Sequence, residues 1–419
     1  MYKTSRLPGF YKQTNNQRLV QLGQFAHLSE QEINLLKNIN ALDVETANRM
    51  IENVVSLMQL PLGIATNFLI NGKDYLIPMA IEEPSVVAAA SNAARLARES
   101  GGFWAISSAP FMIGQVVLIQ VPDVLSAQQM ICLHKEELIT CANARDAILL
   151  ESGGGARDIC VNIHHTERGQ MLTCQLIVDV KDAMGANIVN TMAEAIAPKL
   201  ETLTGGIVFL RIVSNLSIQR MSLAWAVWKK EVIGCDVIEK ILDACAYACA
   251  DHFRCATHNK GIMNGIDAIA LATGNDFRAL EAGAHAYASY QKEYSPLTYY
   301  YKNSDGDLVG EIKLPLAVGI VGGVTQSHPL ARLCLKILGV TSSYELANIL
   351  ASVGLAQNFA ALKALVTDGI QQGHMRLHSK NIAIMAGVPV ELIDHVASCM
   401  CNEKNISVKR AWELLTESR

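Results

Sequence analysis

The 419-residue chain has 11 cysteines but no CxxC pair, so neither a zinc knuckle nor a thioredoxin-type redox pair is available. It also lacks GxGxxG, a Walker-type GxxxxGK followed by Ser or Thr, and HExxH. Their absence removes the Rossmann turn, the P-loop and the zincin helix. No apolar run reaches about 18 residues, so no membrane span is expected. The polar start MYKTSRLPGFYKQTNNQ lacks the apolar stretch of a signal peptide. Gly (29) and Pro (11) are spread thinly, which excludes collagen-like and low-complexity classes. No repeat with a period of roughly 20–50 residues is present.

What is there describes a large globular chain. Half the residues are hydrophobic and 18% are charged, enough for a sizeable core and two to three domains. With 35 basic and 39 acidic residues the net charge is −4, so a chain-wide basic surface for nucleic acid is absent. An odd, scattered set of cysteines fits a reducing compartment with buried thiols. A cytoplasmic protein is the expectation.

Apolar spacing predicts helix over 17–58, with Ser29-Glu30-Gln31-Glu32 as a capped start. Asn71-Gly72, between two short apolar runs in 61–84, signals a hairpin. Pro84 then opens an alanine-rich helix closed by Gly101-Gly102. Between 113 and 215 the order reads strand (114–121), helix (123–149), strand (158–164), strand (171–180), helix (187–203), strand (207–214). That β-α-β-β-α-β order is the split βαβ, or ferredoxin-like, arrangement. The chain then returns to helix at 236–253, 276–295, 328–339 and 343–367. A strand-like stretch with a turn at Asn303-Ser304-Asp305-Gly306 interrupts these helices. The polar tail from 376 to 419 looks like a small helical flap.

The expected class is therefore α+β. A large, mostly helical domain (1–112 and 216–375) carries an inserted ferredoxin-like domain (113–215), and a flap (376–419) closes the chain.

Five short segments concentrate polar groups. Gly153-Gly154-Gly155 lies before a strand and on its own reads as a flexible connection. Asp182-Ala183-Met184-Gly185-Ala186-Asn187 precedes a helix whose free N–H groups can receive an anion. Asp182 or Asn187 could equally cap that helix. Glu82-Glu83-Pro84-Ser85 places two carboxylates at a helix start; either could cap it, or act as an acid against an apolar wall. Arg254 to Gly265, followed by Thr273-Gly274-Asn275-Asp276, reads as glycine-flanked loops that carry a Lys near carboxylates. In Gly373-His374-Met375-Arg376-Leu377-His378 either His could titrate near neutrality.

Together these motifs resemble hydroxymethylglutaryl-CoA (HMG-CoA) reductase of the bacterial class II type. The resemblance runs from Ser5-Arg6-Leu7-Pro8-Gly9-Phe10 to the flap. It rests on Glu52-Asn53-Val54, PLGIATNF (61–68), EEPSVVAAASNAA (82–94), DAMGANIVNTMAEA (182–195), THNKGIMNGID (257–267), ATGND (272–276) and GHM (373–375). Departures are small: Val55-Ser56 where relatives often have Ile-Gly, and Phe277 where Trp is common.

The resemblance implies interconversion of HMG-CoA with mevalonate and CoA by two hydride transfers, without a metal. It assigns the chemistry to Glu83, Lys260, Asp276 and His374, and substrate contacts to Ser85, Arg254 and Asn264. For the nicotinamide cofactor it implies Asp182, Met184, Gly185, Ala186, Asn187 and Asn215. Asp146 matches an acidic position used against ribose hydroxyls, which favours NADH, whereas Arg145 beside it would accept the extra phosphate of NADPH. The family's members are homodimers with active sites at the subunit interface, some assembling into hexamers; no nucleic acid or membrane partner is implied. A homologue that only binds CoA thioesters would lack one of the four chemical residues, and all four are present.

Overall fold

The structure, a computed structural model, describes residues 3–39, 41–290, 293–367, 369, 379–403 and 405–417. Its ten strands, in chain order, are β1 (Leu62–Ile70), β2 (Lys73–Ala80), β3 (Phe103–Ser107), β4 (Phe111–Ile119), β5 (Gly155–Thr166), β6 (Gly169–Asp179), β7 (Ile207–Ser214), β8 (Met221–Trp228), β9 (Thr298–Lys302) and β10 (Leu308–Pro315). They form two sheets.

The larger sheet has the order β2-β1-β3-β8-β10-β9. Its hairpin turns at Asn71 (φ 50°) and Gly72 (φ 76°), two consecutive left-handed residues of the kind a two-residue hairpin needs. Helices Val86–Ala97, His252–Ala272 and Ser343–Val366 pack against it. The last of these is the centre of the core. Leu350, Val353, Leu355 and Phe359 on it are fully buried, and Phe359 stacks on Trp228 of β8. By length and apolarity it could cross a membrane, which the run-length reading of the sequence missed, yet 67% of its most apolar window is buried in the protein.

The smaller sheet has the order β5-β6-β4-β7, all neighbours antiparallel. Three short helices (Val124–Leu133, Lys135–Asn143, Ala147–Glu151) and the long Ala186–Thr204 helix cover it. With the strands taken in sequence as 1 to 4, this is the 4-1-3-2 order of a split βαβ unit. It has a separate core, built on Met112, Val116, Ile131, Val189, Met192 and Ile196. Residues 379–403 and 405–417 form a further small core around Val388, Val396, Met400 and Ala411, with helices at Ile393–Asn402 and Val408–Glu417.

Three expectations are corrected. The single helix over 17–58 is three helices (Asn15–Ala26, Glu30–Lys37, Val44–Met50), each restarted by its own cap at Thr14, Ser29 and Asp43. Beyond Met50 the chain runs irregularly to Pro61, with Val55 and Met58 97% and 94% exposed. β3 and β8 are strands where no strand was expected. In β8 the buried residues Ser222, Ala224, Ala226 and Trp228 alternate with Met221, Leu223, Trp225 and Val227. Both faces are largely apolar, so the period-2 signal is lost. The expected burial of thiols holds for Cys174, Cys255 and Cys334, whereas Cys132, Cys160, Cys235 and Cys249 are exposed; all are free.

Candidate active site

The Glu82–Ser85 segment does not cap its helix. Ser85 holds the N-cap position of Val86–Ala97 in a left-handed conformation (φ 76°) and makes no side-chain cap bond. Its Oγ is buried without a hydrogen-bond partner among the described residues. A non-glycine residue held at positive φ, with an orphaned hydroxyl, is strain and polarity kept for something else. The Glu83 carboxylate has polar partners of its own in a cavity that Pro84, Val86 and Phe359 also line. Its Oε2 accepts from Lys260 Nζ at 2.9 Å and from Asn264 Nδ2 at 3.3 Å.

Lys260 and Asn264 do not sit in a loop. Both lie on the His252–Ala272 helix, which Asp251 caps by accepting the Arg254 N–H. Four residues apart, they share one face. Arg254, six residues before Lys260, turns to the same cavity of about 560 Å³, which Glu83, Ser85, Lys260 and Asn264 also line. Gln357 lines it as well, with a buried Oε1 that has no partner among the described residues. Sequence reading missed Gln357; a glutamine inside an otherwise apolar helix face was the available signal. His258 belongs to the scaffold. It is 1% exposed, its Nε2 meets Thr298 Oγ1 at 2.6 Å, and burial pushes it down to about 4, so it is neutral.

A second cluster forms elsewhere. The Ala186–Thr204 helix begins at Gly185 (φ 100°) without a side-chain cap among the described residues, which leaves its first N–H groups open to a ligand. Asp182 is not its cap: Oδ1 accepts the Ser343 N–H, and the Asp182 carbonyl accepts the Ile320 N–H. The Ala183 and Met184 carbonyls are held by the buried Arg220 guanidinium. A Cβ on Gly185 would stand 2.6 Å from Val180, and one on Gly319 2.4 Å from the Met184 nitrogen, so these glycines are required for the close packing. Asn187 is exposed on the first turn, and Ala186 is half-buried beside it.

Asp276 belongs to this second cluster. It caps Phe277–Ala288 through the Ala279 N–H and pairs with Arg278 at 3.1 Å. Its neighbour Asn275 accepts the Gly319 N–H, which ties Asp276 to the Met184 loop. Gly283 on the same helix lets the Asn215 carbonyl approach; an added Cβ would be 2.7 Å from that oxygen. From Lys260 to the end of its helix at Ala272 the axis rises about 18 Å. The four-residue grouping expected from the sequence therefore does not form within one chain. Glu83 and Lys260 meet, Asp276 stands apart, and His374 lies outside the described residues.

Asp146 caps Ala147–Glu151 by accepting the Leu149 N–H at 2.9 Å, and is half-buried. Arg145 is exposed beside it.

The hydroxymethylglutaryl-coenzyme A reductase family model matches residues 14–379. The chain belongs to that family. The 3-hydroxy-3-methylglutaryl-coenzyme A reductase of Archaeoglobus fulgidus is 54% identical over 417 residues, covering 99% of this chain and 95% of the relative. A probable reductase of Borreliella burgdorferi is 37% identical over 343 residues, 80% of this chain and 77% of that protein. Among solved structures, the class II reductase of Streptococcus pneumoniae, bound to NADPH in open conformations, is similar with TM-score 0.83 and 40% identity, covering 97% of this chain and 100% of that one. The family membership makes the chain an oxidoreductase and an HMG-CoA reductase of class II type.

Proposed function

We propose that the chain interconverts HMG-CoA and mevalonate at a site assembled from the two clusters of different protomers in a homodimer. The observation that carries the roles is the double acceptance by Glu83 Oε2, from Lys260 and Asn264, at the wall of a cavity that also holds a Ser85 hydroxyl without a partner among the described residues.

Arg254 offers the substrate carboxylate a guanidinium, and Ser85 Oγ and Asn264 fix the rest of the hydroxymethylglutaryl group. The cofactor supplies hydride. The residues fit it: the start of Ala186–Thr204, without a side-chain cap, would receive a pyrophosphate, and Gly185 would keep the backbone close to it.

When the thioester carbonyl becomes an oxyanion, the Lys260 ammonium is positioned to stabilise it. Collapse to the aldehyde releases CoA thiolate, which His374 protonates. When the aldehyde oxygen becomes an alkoxide, Glu83 gives it a proton, and Lys260 and Asn264 hold that carboxyl in place. Asp276 of a second copy approaches Lys260 and keeps the ammonium oriented. The irregular segment beyond Met50, with Val55 and Met58 bare to solvent, fits burial against that second copy. Dimers can assemble further into hexamers.

NADH is the preferred cofactor in this reading, because the Asp146 carboxylate repels a 2′-phosphate. The chain works in the cytoplasm. The test is nicotinamide absorbance with HMG-CoA and either NADH or NADPH, and the reverse reaction from mevalonate, CoA and oxidised cofactor. Turnover with NADH well above that with NADPH supports the reading. A preference for NADPH transfers the discriminating role to Arg145. No turnover in folded protein with either overturns the assigned roles.

A further inference from the structure

Asp267 stands seven residues after Lys260 and three after Asn264, so all three share one face of the His252–Ala272 helix. Its Oδ1 is buried with no hydrogen-bond partner among the described residues. The carboxyl lies beside that of Glu281 on the next helix, and each bears on the other's proton. Glu281 in turn lies 2.9 Å from His285 Nε2, and His285 Nδ1 lies 2.7 Å from the Tyr294 hydroxyl. The ionisable groups bearing on the pair are therefore Lys260 from its own helix, Glu281 and His285 from the next, and Tyr294 from the segment leading into β9.

Two carboxyls in contact do not both ionise. His285, and the more distant Lys260, hold Glu281 as the anion. Asp267 keeps the shared proton; burial, then Glu281, push its carboxyl up to about 8.

The shared-site reading above, on which this inference rests, locates the pair in the dimer. Suppose Lys260 of one copy meets Asp276 of another and two-fold symmetry returns the contact. The point midway between Lys260 and Asp276 within one chain then lies on the axis. Lys260 leans toward the start of its helix, and Asp276 follows the helix end. The midpoint falls at the level of Asn264 to Asp267 along that helix.

We propose that the Asp267–Glu281 pair faces its own counterpart across the two-fold axis of the homodimer, and that Asp267 serves there as a neutral hydrogen-bond donor which the assembled interface requires. Four carboxyls gathered at an axis, with water expelled, hold protons more tightly in the dimer than in separated protomers. The sign follows: raising pH through about 8 removes protons that the dimer needs, so dissociation is favoured, by about tenfold per pH unit for each proton released.

The test is sedimentation of the full chain over a concentration series, below and above about pH 8, for the parent, Asp267→Asn and Glu281→Gln. The parent is expected to be dimeric below and at least tenfold weaker above. Asp267→Asn keeps a donor and cannot ionise, so it stays assembled on both sides. Glu281→Gln keeps an acceptor and removes the anion, so it narrows the parent's pH difference; it carries the test if Asp267→Asn does not fold. An Asn variant that dissociates with pH just as the parent does, or a parent dimer indifferent to pH, overturns the proposal and leaves the shared site standing. A chain that is monomeric at both pH values sinks the shared site and the proposal together.

Discussion

Lys260 stands in the middle of the His252–Ala272 helix, and Asp276 stands just past the end of that helix, as the cap of the next. Lys260 lies on the cavity with Glu83, and Asp276 beside the Asp182–Asn187 loop. Glu83 and Lys260 meet at the first place and Asp276 stands at the second, so one chain does not bring the three together.

Subunit mixing follows from that separation. Lys260→Ala and Asp276→Ala are each expected to be inactive alone. Mixed and allowed to exchange, half the dimers pair one of each, and one of their two sites regains both residues. Recovery of about a quarter of parental activity is expected. Activity that stays at the level of the separate variants would place both residues in one chain's site.

Ser85 is held at φ 76°, and its hydroxyl has no partner among the described residues. Ser85→Gly relieves the left-handed strain and is expected to stabilise the fold by about 1 kcal/mol, while removing a substrate contact. A higher melting temperature together with a raised KM for HMG-CoA checks it. A variant with unchanged KM would return Ser85 to a purely local role.

His258 is buried neutral, pushed down to about 4 from an ordinary value near 6.5. Between those pH values the unfolded chain binds a proton that the native one does not. Native stability therefore falls as pH drops through that window, by up to about 3 kcal/mol for this group. His258→Gln keeps a partner for Thr298 and cannot titrate. Denaturant midpoints across the window should fall less steeply for it than for the parent.

Asp146 spends one oxygen on the Leu149 N–H. Asp146→Asn keeps a cap but loses the charge, so stability should change by less than about 1 kcal/mol. The NADH-to-NADPH ratio of kcat/KM should fall at least fivefold, a loss of about 1 kcal/mol of discrimination. An unchanged ratio would move the discrimination to another residue.

Much of this was legible in residue order. Asn71-Gly72, the glycines at 101–102 and 205, and the small-domain strand order all act through local backbone preference or short-range period, and these survive without tertiary context. The split of 17–58 was less legible. Apolar spacing runs on across it, while His27 turns left-handed to end the first helix and Ser29 and Asp43 cap the starts of the next two. β8 was hidden because both its faces are largely apolar.

The sequence by itself determined the family and the chemical inventory, because the motifs keep their acids, base and amides together in short segments. It could not determine which of those segments meet. Glu83 reaches Lys260 across 177 positions, while Asp276, only sixteen residues from Lys260, does not. An α-helix is rigid and advances about 1.5 Å per residue, so neighbours in sequence can be held far apart, and only the packed sheet and helices decide which distant ones are brought to one wall.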